Sequence, residues 1–417
     1  MNFKQYLKLF KLRNLSFLIF SGTVSQFGDR LTHMLLITLI GISAPGKVTA
    51  FSVASLTFTL PVIVFSPLFG VLVDRWSRRS IMIRSHVIQA IILFTAPFLM
   101  NWTHSYLPFW IIITAFFTID IFNNTAKPAM MPTLVAPRKL LSANSLDQLL
   151  ARFATVAGMV LGGFLIAKIG WRWGFIFNAS MHFCAGMLIF GIVKSADVKP
   201  VHKSENRIKI ADSFSILVND IKEIFSLMRK DRIVNIVIIS FALITFIASV
   251  SYTILIFLVQ QVLNMGTAGV GIMSGVLAFG MIIGALVVGI FHIRMSKLNL
   301  IIYSFLIYGL LFLIGPFFIS RILVMLIALI GGVIFSFIAV AQNTMLQEQV
   351  SSVIRGRIYS IKEFFVNVTF ILTALLVGIT SDFTSYKIAL FAVGVIVIIL
   401  SLLALIYLSK PKPIDVR

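Results

Sequence analysis

Apolar runs of more than 20 residues follow one another along almost the whole chain, at 15–42, 48–73, 80–100, 107–135, 142–168, 173–194, 232–262, 266–293, 298–318, 321–350, 357–381 and 384–409. Each is long enough to cross a hydrocarbon core roughly 30 Å thick, which takes about 20 helical residues. A soluble chain of 417 residues has no interior large enough for so much apolar surface, and the composition of 59% hydrophobic and 12% charged residues, with mean hydropathy +1.03, says the same. Strand-like alternation is absent, which excludes a β-barrel. The sequence therefore predicts an all-α integral membrane protein with twelve transmembrane helices.

A net charge of +21 suggests nucleic acid as a partner in a soluble protein, so the basic residues have to be placed against the spans. With the N-terminus in the cytoplasm, that side holds Lys4, Lys8, Lys11, Arg13, Arg75, Arg78, Arg79, Arg84, Arg138, Lys139, Arg294, Lys297, Arg355, Arg357 and the basic residues between Lys194 and Arg232. The opposite connections hold Lys47, Lys168, Arg172, Arg321 and Lys387. This asymmetry predicts cytoplasmic termini in a cell membrane, and assigns the charge to topology and anionic lipid instead of nucleic acid. The single cysteine, Cys184, lies within a span, so no intramolecular disulfide forms.

The chain repeats itself. A shift of 219 residues aligns Arg13 with Arg232, Phe27 with Phe246, Gly70 with Gly289, Arg75 with Arg294, Ser77 with Ser296, and Asn124-Thr125 with Asn343-Thr344. Past a loop three residues shorter, a shift of 216 pairs Asp147 with Glu363 and Gly158-x-x-x-Gly162 with Ala374-x-x-x-Gly378. Six is an even number, so the halves are parallel repeats about an axis along the membrane normal. The expected domains are a six-helix bundle over 1–194, a cytoplasmic linker over 195–231 and a second six-helix bundle over 232–417. In the linker, Phe214, Leu217, Ile221, Ile224, Phe225 and Met228 recur at helical spacing, the pattern of an amphipathic surface helix.

Between the second and third spans stands Gly70-Val71-Leu72-Val73-Asp74-Arg75-Trp76-Ser77-Arg78-Arg79. It resembles the cytoplasmic signature of the major facilitator superfamily, with serine at the second glycine, where it is expected to turn the chain at some backbone strain. The resemblance implies two pseudo-symmetric six-helix bundles and a latch of Gly70, Asp74, Arg75, Arg78 and Arg79 that opens as the halves rock. The repeat has Ile293 in place of Asp74, so its latch is expected to be the weaker. Around Met131-Pro132-Thr133, Leu141-Ser142-Ala143-Asn144 and Gly158-Met159-Val160-Leu161-Gly162-Gly163, the chain is similar to the branch holding macrolide-efflux, enterobactin-efflux and lysophospholipid transporters. Gly158, Gly162 and Gly163 are the expected helix-packing residues.

Charges inside spans are costly unless paired or wet, so each is a functional candidate. Asp29 lies deep in the first span with His33 one turn on, and a buried carboxyl holds a proton more tightly than one in water. Asp120 is the second acid at mid-depth, followed by Asn124 and Lys127 on one stripe. Proton-coupling candidates are thus Asp29, His33 and Asp120, and substrate-cavity candidates are Gln26, Arg30, Asn124 and Lys127. Lys127 suits either an anionic substrate group or neutralisation of Asp120. Asp147 with Arg152, and Lys362 with Glu363, lie toward the cytoplasmic ends and read as gate residues. His86, His104, His182 and His292 have no ligand spacing and read as structural; no metal or cofactor is implied.

No Gly-x-x-x-x-Gly-Lys-Ser/Thr loop occurs, so an ion gradient is the expected energy source. The reading is a monomeric, proton-coupled exporter of a bulky hydrophobic or amphipathic molecule, working by alternating access and not as an enzyme. A lysophospholipid or lipid flippase, a siderophore exporter and a non-transporting receptor are the alternatives.

Overall fold

The computed structural model describes residues 9–193, 232–290, 295–349 and 355–409, and among these every regular element is helical. The helices are α1 (Arg13–Ser43), α2 (Val48–Arg75), α3 (Arg78–Thr103), α4 (Leu107–Leu134), α5 (Pro137–Phe190), α6 (Arg232–Val250), α7 (Gly266–Ile290), α8 (Lys297–Ile314), α9 (Arg321–Gln349), α10 (Arg355–Phe383) and α11 (Tyr386–Ser409). α5 carries two of the expected spans as two limbs. They meet at Gly170, whose φ of 80° and ψ of 163° end the first limb in a conformation open chiefly to glycine. α6 continues through two π-helical turns, Ser251–Leu255 and Leu258–Val262.

Ten of these elements are long and apolar enough to cross a membrane, the two-limbed α5 among them. α1, at 31 residues, falls short because Gln26, Asp29, Arg30 and His33 interrupt its apolar run. The arrangement is consistent with twelve spans. α3 shows why the surroundings must be apolar: its buried face carries Ser85, His86 and Gln89, while Ile88, Ile91, Phe94 and Phe98 are exposed. That is the reverse of a helix in water, and it suits a bilayer in which polar groups must find partners within the protein.

The chain divides into two compact units. Among the described residues, the first comprises 9–45, 54–193 and 265–272, and the second 46–53, 232–264, 273–290, 295–349 and 355–409. The partition differs from a cut between sequence halves by one short segment from each. Those segments, 46–53 and 265–272, are related by the same 219-residue shift that aligns the repeats. Within the first unit α1 packs on α5, and α3 packs on both α4 and α5. Within the second, α6 packs on α10, and α8 on α9 and α11. The repeat thus extends to which helices touch.

Each short segment is seated in its unit by specific contacts. In the first, Thr267 and Thr38 share a hydrogen bond of 2.8 Å, and a Cβ on Gly163 would stand 2.9 Å from the carbonyl oxygen of Thr267. In the second, the Asp382 carboxylate accepts from the backbone N–H of Val48 at 2.7 Å and of Thr49 at 3.2 Å, closing the start of α2 with a negative charge. Gly378 lies against Ser52 beside that cap.

The expected strain at Ser77 is absent. Its φ is −59° and its ψ 117°, ordinary for any residue, and its hydroxyl accepts from the backbone N–H of Ser80 at 3.1 Å as the N-cap of α3. Ser296 does the same for Asn299 at the start of α8, at 3.2 Å. Serine satisfies an otherwise orphaned amide, which glycine could not. The surroundings of Gly70 and the side chains of Asp74, Arg75 and Glu363 are not among those described, and Ile293 and the whole 195–231 linker lie outside the described residues.

Candidate functional site

The first unit buries an unusual amount of polar chemistry. Asp29 on α1 is buried, and its Oδ2 accepts a hydrogen bond from Gln26 Nε2 at 3.2 Å. Its other oxygen, Oδ1, lies 3.8 Å from Nε2 of His182 on the second limb of α5. Asn178, one turn before His182, donates from Nδ2 to the Thr32 hydroxyl at 2.7 Å, and Thr32 in turn donates to the Gly28 carbonyl at 3.2 Å. That chain turns Asn178 Oδ1 toward Gly28, where a Cβ would sit 2.8 Å from it and 2.7 Å from His182 Nε2. Glycine at 28 is thus what leaves room for both groups.

Farther along, the His86 and His182 rings lie with centroids 5.9 Å apart, and Phe116 walls His182 edge-on at 5.0 Å. The amide nitrogen of Asn123 sits 3.0 Å from His86 Nδ1 and 3.1 Å from its Nε2. One turn along each of those helices, Gln89 Nε2 reaches Asp120 Oδ1 at 3.5 Å, and Asn124 donates to Asp120 Oδ2 at 2.7 Å. Side chains of α1, α5, α3 and α4 thus stand in series between the two acids, with no hydrogen bond across the Asp29–His182 and His182–His86 approaches among the described residues. Both ring nitrogens of His182 and the side-chain oxygens Asp29 Oδ1, Asn178 Oδ1, Asn123 Oδ1 and Gln89 Oε1 are buried with no hydrogen-bond partner among the described residues. Buried polar atoms are nearly always paired, so such a cluster of orphans marks a place that pays for something other than packing.

Lys127 does not turn to Asp120. Its Nζ lies 2.6 Å from Asp147 Oδ1, with the side chains 17% and 14% exposed. The Lys127 side chain passes over Gly22, whose missing Cβ would stand 2.5 Å from Cε. Asp147 is thus paired across helices, while Arg152, its expected neighbour, is exposed. Arg30 packs its Cβ against Gly158, Leu31 fills the space at Gly162, and Gly163 faces Thr267 and Gly271. The three glycines that stood out in the sequence therefore lie where a backbone or side chain approaches closely.

His33 sits in an aromatic pocket, 5.1 Å from the Phe58 ring and 4.9 Å from that of Phe117. His182, which was read as structural, is the histidine that the fold brings to Asp29, and His86 is the next. The one available signal was that each is a polar residue on an otherwise apolar span; nothing local connects residue 29 to residue 182. Of the remaining gate candidates, Arg78 donates to the Ala129 carbonyl at 2.8 Å, and Arg79 to those of Ile192 at 2.8 Å and Phe190 at 2.6 Å. Lys362 lies over the Phe241 ring at 4.9 Å. No group of His, Cys, Asp or Glu among the described residues could hold a metal ion.

Two units of repeated, membrane-length helices, one of them holding the buried acid Asp29, define a multi-span membrane protein. The sequence profile of the major facilitator superfamily matches residues 18–353 and 241–417, and the chain belongs to that family. Macrolide efflux protein A of Streptococcus pyogenes is 24% identical over 328 residues, 76% of each chain. The proposed bacilysin exporter BacE of Bacillus subtilis is 26% identical over 373 residues, 88% of each. The MFS-type transporter YfiS of B. subtilis, itself uncharacterised, is 24% identical over 195 residues, and the chain covers 46% of its length. Among solved structures, the peptide transporter POT in complex with sulfate superposes with TM-score 0.73 at 10% identity, over 95% of this chain and 94% of the other. These relatives and fold neighbours are transporters, not enzymes.

Proposed function

We propose that the chain is a proton-coupled exporter of a bulky hydrophobic or amphipathic small molecule, with Asp29 as the principal proton site and Asp120 as the second. The observation that carries the reading is Asp29, a buried acid in α1 with one oxygen lacking a hydrogen-bond partner among the described residues and two histidines beyond it. A membrane-buried carboxyl is costly to keep and is retained where a charge must come and go. Family relatives concerned with macrolide efflux and bacilysin export support outward transport. The Lys127–Asp147 pair, with Arg78 and Arg79 on neighbouring carbonyls, suits the fixed side of a cytoplasmic gate. In this reading the protein is a monomer in the cell membrane with both termini in the cytoplasm, and 1–194 and 232–417 are the two moving bundles.

The test uses the purified protein in proteoliposomes with an imposed pH gradient, screened against macrolides, lipophilic cations, siderophores and lysophospholipids. At least one compound is expected to move uphill, and collapsing the gradient with a protonophore is expected to stop it. Transport of a lysophospholipid that is indifferent to the protonophore would replace this reading with an uncoupled lipid flippase.

A further inference from the structure

His182 stands out because neither of its possible roles in packing accounts for it. It is fully buried, yet both ring nitrogens lack a hydrogen-bond partner among the described residues. A structural histidine in an apolar span would ordinarily donate from one nitrogen and accept at the other. Instead its Nε2 faces Asp29 Oδ1 at 3.8 Å, just beyond hydrogen-bond reach, and the Gly28 niche holds Asn178 Oδ1 close by. The ring is held in place without being consumed: Phe116 packs against its edge, and the Thr32–Asn178 chain fixes the helix turn beneath it.

We infer that His182 shares the coupling proton with Asp29, and that His86 carries the path onward toward Asp120. The inference rests on the reading of Asp29 as proton site. In the first step the O–H bond of the Asp29 carboxyl breaks and an N–H bond forms at Nε2 of His182, leaving a carboxylate beside an imidazolium. No other bond changes. The imidazolium then gives up a proton to the His86 imidazole, whose ring centroid is 5.9 Å away. The charged and titratable groups around this path are Asp120, Arg30 and Lys127, which act electrostatically on Asp29, His33 one turn along α1, Asp147 paired to Lys127, and His86 beside His182. A relay has a practical advantage over a single carboxyl: the proton moves off α1 into the bundle while Asp29 becomes free to meet substrate or solvent.

Infrared spectroscopy of the full chain in lipid nanodiscs, titrated across pH, tests this through the carbonyl stretch of a protonated carboxyl. Asp29→Asn is expected to remove one titrating band. His182→Gln is expected to keep the band and move its midpoint by about one pH unit or more, the scale of a neighbouring charge. His104→Gln, at the end of α3, is expected to leave the midpoint in place. A midpoint unmoved in His182→Gln, with the band gone in Asp29→Asn, overturns the relay and leaves the role of Asp29 standing. A band and a gradient-driven transport both intact in Asp29→Asn overturn both. If His182→Gln does not fold, ¹⁵N resonances of the six histidine rings in wild type and Asp29→Asn decide the matter. One ring titration shifted between the two supports the relay, and six unshifted rings refute it.

Discussion

The interiors of the two units are built on one plan and filled with opposite chemistry. Carried across by the repeat, Asp29, His86, Gln89, Asp120 and Lys127 fall on Ala248, Phe305, Tyr308, Ala339 and Leu346, while Asn178 and His182 fall on Gly394 and Ile398. Where the first unit holds its histidine pair, the second closes up: at Gly309 an added Cβ would stand 2.5 Å from Ile398 and 3.2 Å from the Gly394 carbonyl. Of the polar groups that remain there, Gln342 donates to Ser240 at 2.9 Å and Ser249 to the Phe370 carbonyl at 2.8 Å, while Thr253 Oγ1 and Gln261 Nε2 are buried with no hydrogen-bond partner among the described residues. At these positions one bundle carries acids, histidines and a lysine, and the other carries apolar residues, glycine and a tyrosine. The same packing of helices tolerates both, so fold and chemistry have separated.

The largest effect should come from breaking the Lys127–Asp147 ion pair, whose lysine falls on Leu346 in the repeat. Lys127→Met alone, or Asp147→Leu alone, leaves a largely buried charge unmatched and should lower stability by about 3–5 kcal/mol in thermal unfolding, whereas the double change recovers most of it. Equal losses in the single and double variants would deny the pairing. Next comes Gly28→Ala, whose methyl group meets His182 and Asn178; overpacking of this kind costs about 1–3 kcal/mol. The shift-related Ile247 is buried at 2%, and Ile247→Val should cost about 0.5–1.5 kcal/mol while leaving gradient-driven transport unchanged, unlike Gly28→Ala.

A smaller difference should separate the two short seated segments. Asp382→Ala removes the charged cap of α2 and should cost about 1 kcal/mol, and Thr267→Val, which breaks a neutral hydroxyl pair, about half that. The smallest effect is the one that should be equal in both halves. Ser77→Gly and Ser296→Gly each lose a hydroxyl cap but keep an acceptable N-cap residue, so each should cost a few tenths of a kcal/mol. A markedly larger loss at Ser77 would show that the first half's turn does more than cap a helix.

Much of this architecture could be read directly from hydropathy, because a span must be apolar along its whole length and the chain declares it residue by residue. The repeat was legible as well, since Gly70 with Gly289 and Ser77 with Ser296 hold one register over four helices. What Ser77 does was not, because a cap depends on a backbone amide three residues on and not on the glycine it replaces in the family pattern. Asp29 and Asp120 stood out as acids in apolar runs. Their connection through His182 and His86 did not, because it joins residues more than 150 positions apart, and hydropathy carries no information on which helix faces which. The partner of Lys127 is hidden for the same reason: the sequence leaves an anionic substrate group and Asp120 open, and Asp147 pairs with it across Gly22. Nor does local patterning reveal that segments 46–53 and 265–272 sit apart from the rest of their sequence halves.

The claim that proton chemistry belongs to the first bundle alone is tested most directly by comparing Asp29→Asn with Glu348→Gln, an exposed acid of the second unit bonded to Lys297 at 2.6 Å. With a compound found to move uphill, both variants are assayed for gradient-driven accumulation and for gradient-free counterflow. Asp29→Asn should lose accumulation at least tenfold, about 1.4 kcal/mol, while keeping counterflow, and Glu348→Gln should keep both. Accumulation by Asp29→Asn at the wild-type rate, or loss of coupling in Glu348→Gln, would contradict the account.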